Sequence, residues 1–379
     1  MGEFRLTGQQ REFVTWVREV GAERLRPLAE AGPAGKVNRE LIKAMGERGL
    51  LSRLFARGSD GAAYTDAAAI DLCLLREALA QESTEAETAL ALQGLGSYPV
   101  LQSGSQHQVD RWIPTVAAGE AVAAFALTEP NAGSDAAALE LAAEPDASRW
   151  RLRGEKIWIS NAPEADFYTV FARTTPDAGA RGVSAFLVPA DRPGLSGEHL
   201  DMVSPHPIGR LVFDGVPVGQ EDLLGEPDRG FRVAMRTLDL FRPSVGAFAV
   251  GMAQAALDAA VAHAGTREAF GAPLKELQSV SHSLAEMATR IEASRLLVYS
   301  AAAGYDAGDG GLASRAAMAK LMATETAQFV VDSAIQIHGA RALRRGHRLE
   351  HLYREVRAPR IYEGASEVQR SIIARELYR

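Results

Sequence analysis

AFALTEPNAGSD, residues Ala124–Asp135, is where helical patterning in this chain gives way to β patterning. The segment opens as a strand-like apolar run. It breaks at Glu129–Pro130–Asn131 and Gly133, residues that force a tight, irregular turn. Such a turn exposes successive backbone N–H groups, and Thr128 and Ser134 add hydroxyls. That chemistry suits a flat heteroaromatic edge rich in acceptors, although an ordinary strand-end loop has the same composition.

Towards the N-terminus, from Leu6 to about Val122, the pattern is helical. Phe13, Trp16, Val17 and Val20 recur at i, i+3, i+4 and i+7, within an N-terminal amphipathic helix that carries both charge signs. Similar stripes run over Leu41–Leu50 and Ala67–Ala80, separated by joints at Ala31–Gly35 and Gly58–Gly61. Beyond the turn, short β-rich runs follow at Trp150–Arg153, Lys156–Ser160, Phe167–Ala172, Val183–Pro189 and Leu211–Asp214. From Phe231 longer helical patterns return. One has Met318, Leu321, Met322 and Phe329 on one stripe interrupted by Glu325, another begins Leu284, Met287, Ile291, and Gly304–Gly311 turns between them. The predicted plan is α+β: an N-terminal helical domain (1–122), a middle antiparallel β-domain (123–227) and a C-terminal four-helix bundle (228–379).

The 379 residues are 47% hydrophobic and 23% charged, an ordinary globular balance. A net charge of −7 argues against a nucleic-acid or membrane-surface protein. Cys73 is the single cysteine, so no intrachain disulfide can form. No uninterrupted run of eighteen apolar residues and no targeting segment is apparent, so a cytoplasmic location is the default expectation. Neither GxGxxG, GxxxxGK[ST] nor GxSxG occurs, which removes support for Rossmann, P-loop and nucleophile-elbow chemistry. His347, Glu350 and His351 spell the zinc-peptidase pattern HxxEH. They sit in the arginine-rich stretch ARALRRGHRLEHLYR, which would repel a dication, so no metal site is expected.

Two further segments carry chemistry. In GEKIWISN (Gly154–Asn161), strict alternation puts Trp158 and Ser160 on one strand face, where an aromatic can cover a ring and a hydroxyl can bond to it. A core tryptophan is the plainer alternative. In IYEGASEVQR (Ile361–Arg370), Glu363 precedes a glycine in a connection between helices. The glycine lets backbone approach a ligand, and the carboxylate can serve as a general base.

Together these segments resemble the acyl-CoA dehydrogenase family, over essentially the whole chain and in the right order. The resemblance rests on LTEPxAGSD, on KxWI[TS]N, on RxxFGxPL…Q (Arg267, Phe270, Gly271, Pro273, Leu274, Gln278), on QIHG (Gln336–Gly339) and on the C-terminal YEG. It implies FAD as cofactor. Phe125, Leu127, Thr128 and Ser134 would line the flavin, with Trp158 covering the ring and Ser160 bonding near N5. Arg267, Phe270 and Gln278 would hold the pyrophosphate and adenosine of a neighbouring subunit's FAD, beside Gln336, Gly339 and Ala340. A homotetramer (or dimer) follows from that sharing. Ala365 and Glu367 complete the cofactor set.

By the same resemblance Glu363 is the catalytic base, and Ser134, Asp239, Arg242 and Gly364 contact an acyl-CoA substrate, with an electron-transfer flavoprotein as acceptor. One branch of the family places its base immediately before an arginine on an earlier helix; here that position is Phe241, before Arg242, which cannot take a proton. Departures from the family pattern bear on the substrate. Ser160 and Ala365 stand where threonine is usual, and Ala340–Gly346 replaces a glycine-rich loop with one carrying Arg341, Arg344 and Arg345. A drifted loop explains this simply. A surface for an acidic acyl carrier protein is the sharper alternative. An oxygen-using flavin oxidase is a third reading, against which Glu363 counts.

Overall fold

The computed structural model describes residues 6–57 and 63–378. The expected joint at Gly58–Gly61 and residues 1–5 of the segment read as an amphipathic helix lie outside that range. The chain forms two compact units. One comprises Met1–Arg26, Ala68–Glu87 and Asp239–Arg379; the other comprises Pro27–Ala67 and Thr88–Leu238.

The second unit is built on a seven-stranded sheet. The two β-rich runs around Gly154 are one strand, Arg149–Ser160, paired antiparallel with Ala142–Asp146 and with Ile208–Val218. The sheet is mixed where an antiparallel one was expected, because Ala123–Ala126 runs parallel to Phe167–Arg173. Parallel pairing needs a long crossover, here the whole segment from the LTEP turn through Arg149–Ser160. Leu195–His199, a polar and largely exposed strand beside Ile208–Val218, has no alternation to predict it. Phe167, Val170, Phe171 and Phe186 are fully buried in the sheet's core. The strand that carries the LTEP turn is seated by Gly96: a Cβ there would strike the backbone of Ala123–Ala124, so only glycine permits the approach. Gln93 Oε1 accepts from Ala123 N–H at 3.0 Å at the same contact.

The first unit is helical, dominated by Gln278–Asp306, Leu312–His338 and the C-terminal part of Gly230–Thr266, with Ser366–Leu377 closing the chain. Gly230–Thr266 is long and apolar enough to cross a bilayer, yet most of its apolar window is buried within the protein, as in a core helix. The expected apolar stripe of helix Leu312–His338 is only partly covered, with Leu321 and Phe329 half-buried. Met318 and Met322 are exposed, and the face turned inward consists of Ala316, Ala317, Lys320, Ala323, Thr324 and Ala327. Small residues allow close helix packing, and they leave room for one long polar side chain.

Candidate active site

The site residues fall into two groups, one in each unit. In the sheet unit the LTEP turn is organised by Glu129, whose backbone exchanges two hydrogen bonds with Ala132. Its buried carboxylate accepts from Leu141 N–H at 2.9 Å and Glu140 N–H at 2.5 Å. The fully buried Lys156 donates to Glu129 Oε1 at 2.7 Å and to Leu127 O at 2.9 Å. Burial lowers Lys156 to about 8 against the pull of Glu129. Strand and turn are thus clasped by one ion pair, with Ile157 N–H donating to Thr128 O at 3.0 Å alongside.

Strict alternation would put Lys156 on the face of Trp158 and Ser160, and Lys156 does not stay there. The register shifts between Lys156 and Ile159, and Trp158 takes a left-handed φ of 59°. This bulge turns Lys156 inward and throws Trp158 out, 52% exposed. Thr128 and Ser160 are half-buried and Ser134 is exposed; among the described residues none of their hydroxyls makes a hydrogen bond. Phe125 is half-buried, its ring 4.9 Å from that of Phe171, and Leu127 is buried. An exposed indole on a bulge, with uncommitted hydroxyls nearby, fits a flat heteroaromatic cofactor.

In the helical unit, Glu363 lies between the turn Ala358–Arg360 and helix Ser366–Leu377. Glu363 (φ 52°) and Gly364 (φ 96°) are both left-handed. A non-glycine residue in that region is strained and persists only where its surroundings fix it. They do so here through the Gly364 carbonyl, which accepts from Lys320 Nζ at 2.7 Å and from Gln369 Nε2 at 2.9 Å. Glu325 ties both flanks of the turn, to Arg360 at 2.9 Å and to the Ser366 hydroxyl at 2.6 Å. Burial would raise Glu325, but those hydrogen bonds outweigh it and hold the carboxyl below its usual range.

Glu363 itself is half-buried, and its Oε2 is fully covered without a hydrogen-bond partner. Burial raises its pKa, and the charges of Arg76, Lys320 and Arg242 limit the rise. Arg76 is buried in an ion pair with Glu87 and donates to Ser244 Oγ at 2.7 Å. Arg242 donates to Asp239 at 2.7 Å, while its buried Nε has no partner.

The remaining predicted residues are surface features of the helical unit. Phe270 (φ 55°) and Gly271 (φ 84°) form the tip of a tight hairpin, which leaves Phe270 94% exposed. Arg267, Gln278, Gln336, Gly339, Ala340 and Glu367 are exposed as well, and Ala365 precedes the last helix. His338 stacks on His263 at 4.2 Å and meets His347 edge-on at 5.6 Å. The HxxEH histidines have separate tasks. His347 Nδ1 caps helix Arg348–Glu355 by accepting from Leu349 N–H, and His351 shares a 2.7 Å hydrogen bond with Thr84.

Lys156, Glu129, Lys320, Arg76, Glu325 and Gln369 were not among the predicted site residues. Glu129 and Lys156 stood inside the LTEPxAGSD and KxWI[TS]N motifs without a role assigned to them, and Glu325 showed as a charge interrupting an apolar stripe.

The acyl-CoA dehydrogenase N-terminal, middle and C-terminal domain families match residues 7–120, 124–216 and 228–378. The cyclohexane-1-carbonyl-CoA dehydrogenase of Geobacter metallireducens is 33% identical over 99% of this chain and 98% of that protein. The structure of butyryl-CoA dehydrogenase from Megasphaera elsdenii superposes with a TM-score of 0.92 at 34% identity, covering both chains in full. A structure described with the electron transferring flavoprotein of Acidaminococcus fermentans gives 0.93 at 34% identity, again over both full chains. The chain belongs to the acyl-CoA dehydrogenase family and is an FAD-dependent oxidoreductase.

Proposed function

We propose that this acyl-CoA dehydrogenase oxidises the Cα–Cβ bond of an acyl-CoA thioester with Glu363 as the base that takes the α-proton. The observation carrying this reading is the buried, unpartnered Oε2 of Glu363 on a strained turn, faced by three cations. A carboxylate left without a hydrogen bond is available for a substrate proton. Its raised pKa makes it a stronger base than a surface carboxylate, while the cations keep the ionised form accessible. FAD, when bound, supplies the acceptor for the β-hydride, so that proton and hydride together leave the trans-2-enoyl thioester.

Phe125, Leu127, Thr128, Ser134, Trp158 and Ser160 are the residues proposed to hold the flavin. Arg267, Phe270, Gln278, Gln336, Gly339 and Ala340 would serve the FAD of a neighbouring subunit in a homotetramer, with Ala365 and Glu367 near the flavin side. Ser134, Asp239, Arg242 and Gly364 would meet the acyl-CoA, the uncommitted Arg242 Nε offering one donor. Electron-transfer flavoprotein is the proposed acceptor, in keeping with the relative described alongside one. A carrier-protein thioester is the second reading, supported by Leu343, 68% exposed amid the exposed Arg341, Arg344 and Arg345.

The test is an anaerobic titration of the yellow holoenzyme with short, branched and medium acyl-CoAs, following the long-wavelength flavin band. Glu363→Gln is expected to slow bleaching by about 10²–10⁴-fold. Bleaching that survives the substitution removes Glu363 as the base. Flavin that no acyl-CoA bleaches moves the substrate to carrier-bound thioesters.

A further inference from the structure

Lys320 lies in the middle of helix Leu312–His338, among alanines and threonines, with no exposed surface. Burying an ammonium is unfavourable unless something specific compensates it. Its Nζ makes one hydrogen bond, to the Gly364 carbonyl at 2.7 Å. That carbonyl belongs to the residue following Glu363, and its second acceptor position is filled by Gln369 Nε2 at 2.9 Å. The two donors come from different helices and together fix the orientation of the Gly364–Ala365 peptide. A Cβ on Gly364 would meet Gln369 Nε2, the end of a side chain that can shift, so it is the left-handed φ of 96° that most demands glycine there.

The three cations around Glu363 are not equivalent. Arg76 is ion-paired with Glu87, and Arg242 with Asp239. Lys320 hydrogen-bonds no carboxylate. The charged groups facing it are Glu363, Arg242, Glu325 and Glu367. Of these acids, Glu325 is already bonded to Ser366 and Arg360, and Glu367 is paired with Arg370 at 3.5 Å. Lys320 is therefore the one of the three cations around Glu363 that has no carboxylate hydrogen-bonded to it, and its charge adds to those of Arg76 and Arg242.

We infer that Lys320 is a positioning residue for α-proton removal, its ammonium clasping the Gly364 carbonyl to fix the turn that presents Glu363 and adding its charge to those of Arg76 and Arg242 beside that carboxylate. The inference rests on Glu363 being the base. Burial lowers Lys320 to about 8, so it carries its charge through neutral pH. The sign of the effect follows. Removing the positive charge raises the pKa of Glu363, and the rate's low-pH limb moves to higher pH.

The experiment measures the pH profile of anaerobic flavin reduction by butyryl-CoA in the holoenzyme, for wild type, Lys320→Met, Lys320→Arg and Glu363→Gln. Lys320→Met is expected to move the low-pH limb up by about one unit and to lower the plateau by about tenfold through loss of the turn's geometry. Lys320→Arg keeps the charge and should return the limb to its wild-type position while recovering only part of the plateau. If Lys320→Met does not retain flavin, Lys320→Gln replaces it with the same expected limb. A limb at the wild-type pH in both the neutral and the arginine variants overturns the inference. Flavin reduction surviving in Glu363→Gln overturns the base assignment instead, so the two failures are told apart.

Discussion

Lys156 in the sheet unit and Lys320 in the helical unit are both fully buried, both lowered by burial to about 8, and both hydrogen-bonded to a backbone carbonyl within a chemistry-bearing segment. They differ in what answers their charge. Lys156 has a carboxylate of its own, Glu129 at 2.7 Å, which in turn accepts two backbone N–H groups. That circuit is closed, and nothing in it is left to bind. Lys320 has only the Gly364 carbonyl, and the acid nearest in charge to it, Glu363, keeps an unpartnered oxygen. A buried lysine with a dedicated acid is a clasp, whereas one without leaves the acid free to react.

The contrast breaks first at Lys156. Lys156→Met strands the Glu129 carboxylate in the interior, and unfolding should be easier by about 3–5 kcal/mol. Denaturant unfolding of the holoenzyme checks this, with flavin lost early as the LTEP turn loosens. Adding Glu129→Leu should recover part of the loss but not all, because the N–H groups of Glu140 and Leu141 lose their acceptor. A Lys156→Met protein less than about 1 kcal/mol weaker would mean that the pair is not a clasp, only a tolerated burial.

Gly364→Ala sharpens the other side. The added methyl meets Gln369 Nε2 and has to adopt φ 96°, so stability should fall by about 1–3 kcal/mol. If the turn exists to present Glu363, the rate of flavin reduction should fall further than stability does, by about a hundredfold. An equal rate in a less stable protein would make the turn a structural feature alone.

The succession of helices, strands and helices was legible because apolar spacing and Gly/Pro punctuation are local signals, whereas Glu363, an acid before a glycine, was singled out only by the resemblance of its YEG segment. What organises the two groups was hidden for physical reasons. Strict alternation put Lys156 and Trp158 on one face; the bulge that parts them depends on a left-handed tryptophan, which no residue type announces. Lys320 lay behind a more conspicuous stripe, Met318–Leu321–Met322, although the buried face of that helix is lined by alanine. Hydrophobicity alone favours the large residues, but close packing of helices selects the small ones. The parallel pairing of Ala123–Ala126 was out of reach as well, since it joins segments about forty residues apart.

The finest division falls within one strand. One residue, Ile157, separates Lys156, wholly inside, from Trp158, half outside, and the bulge there should divide stability from binding. Trp158→Ala removes little packing and should change unfolding by no more than about 0.5 kcal/mol. If the indole covers the flavin, FAD affinity should weaken by about 1 kcal/mol, roughly fivefold. Flavin fluorescence during dilution of the holoenzyme reads the second quantity, and thermal unfolding of the apoprotein reads the first. A variant that loses stability yet keeps its FAD affinity would place Trp158 in the core despite its exposure, and the bulge would then separate nothing.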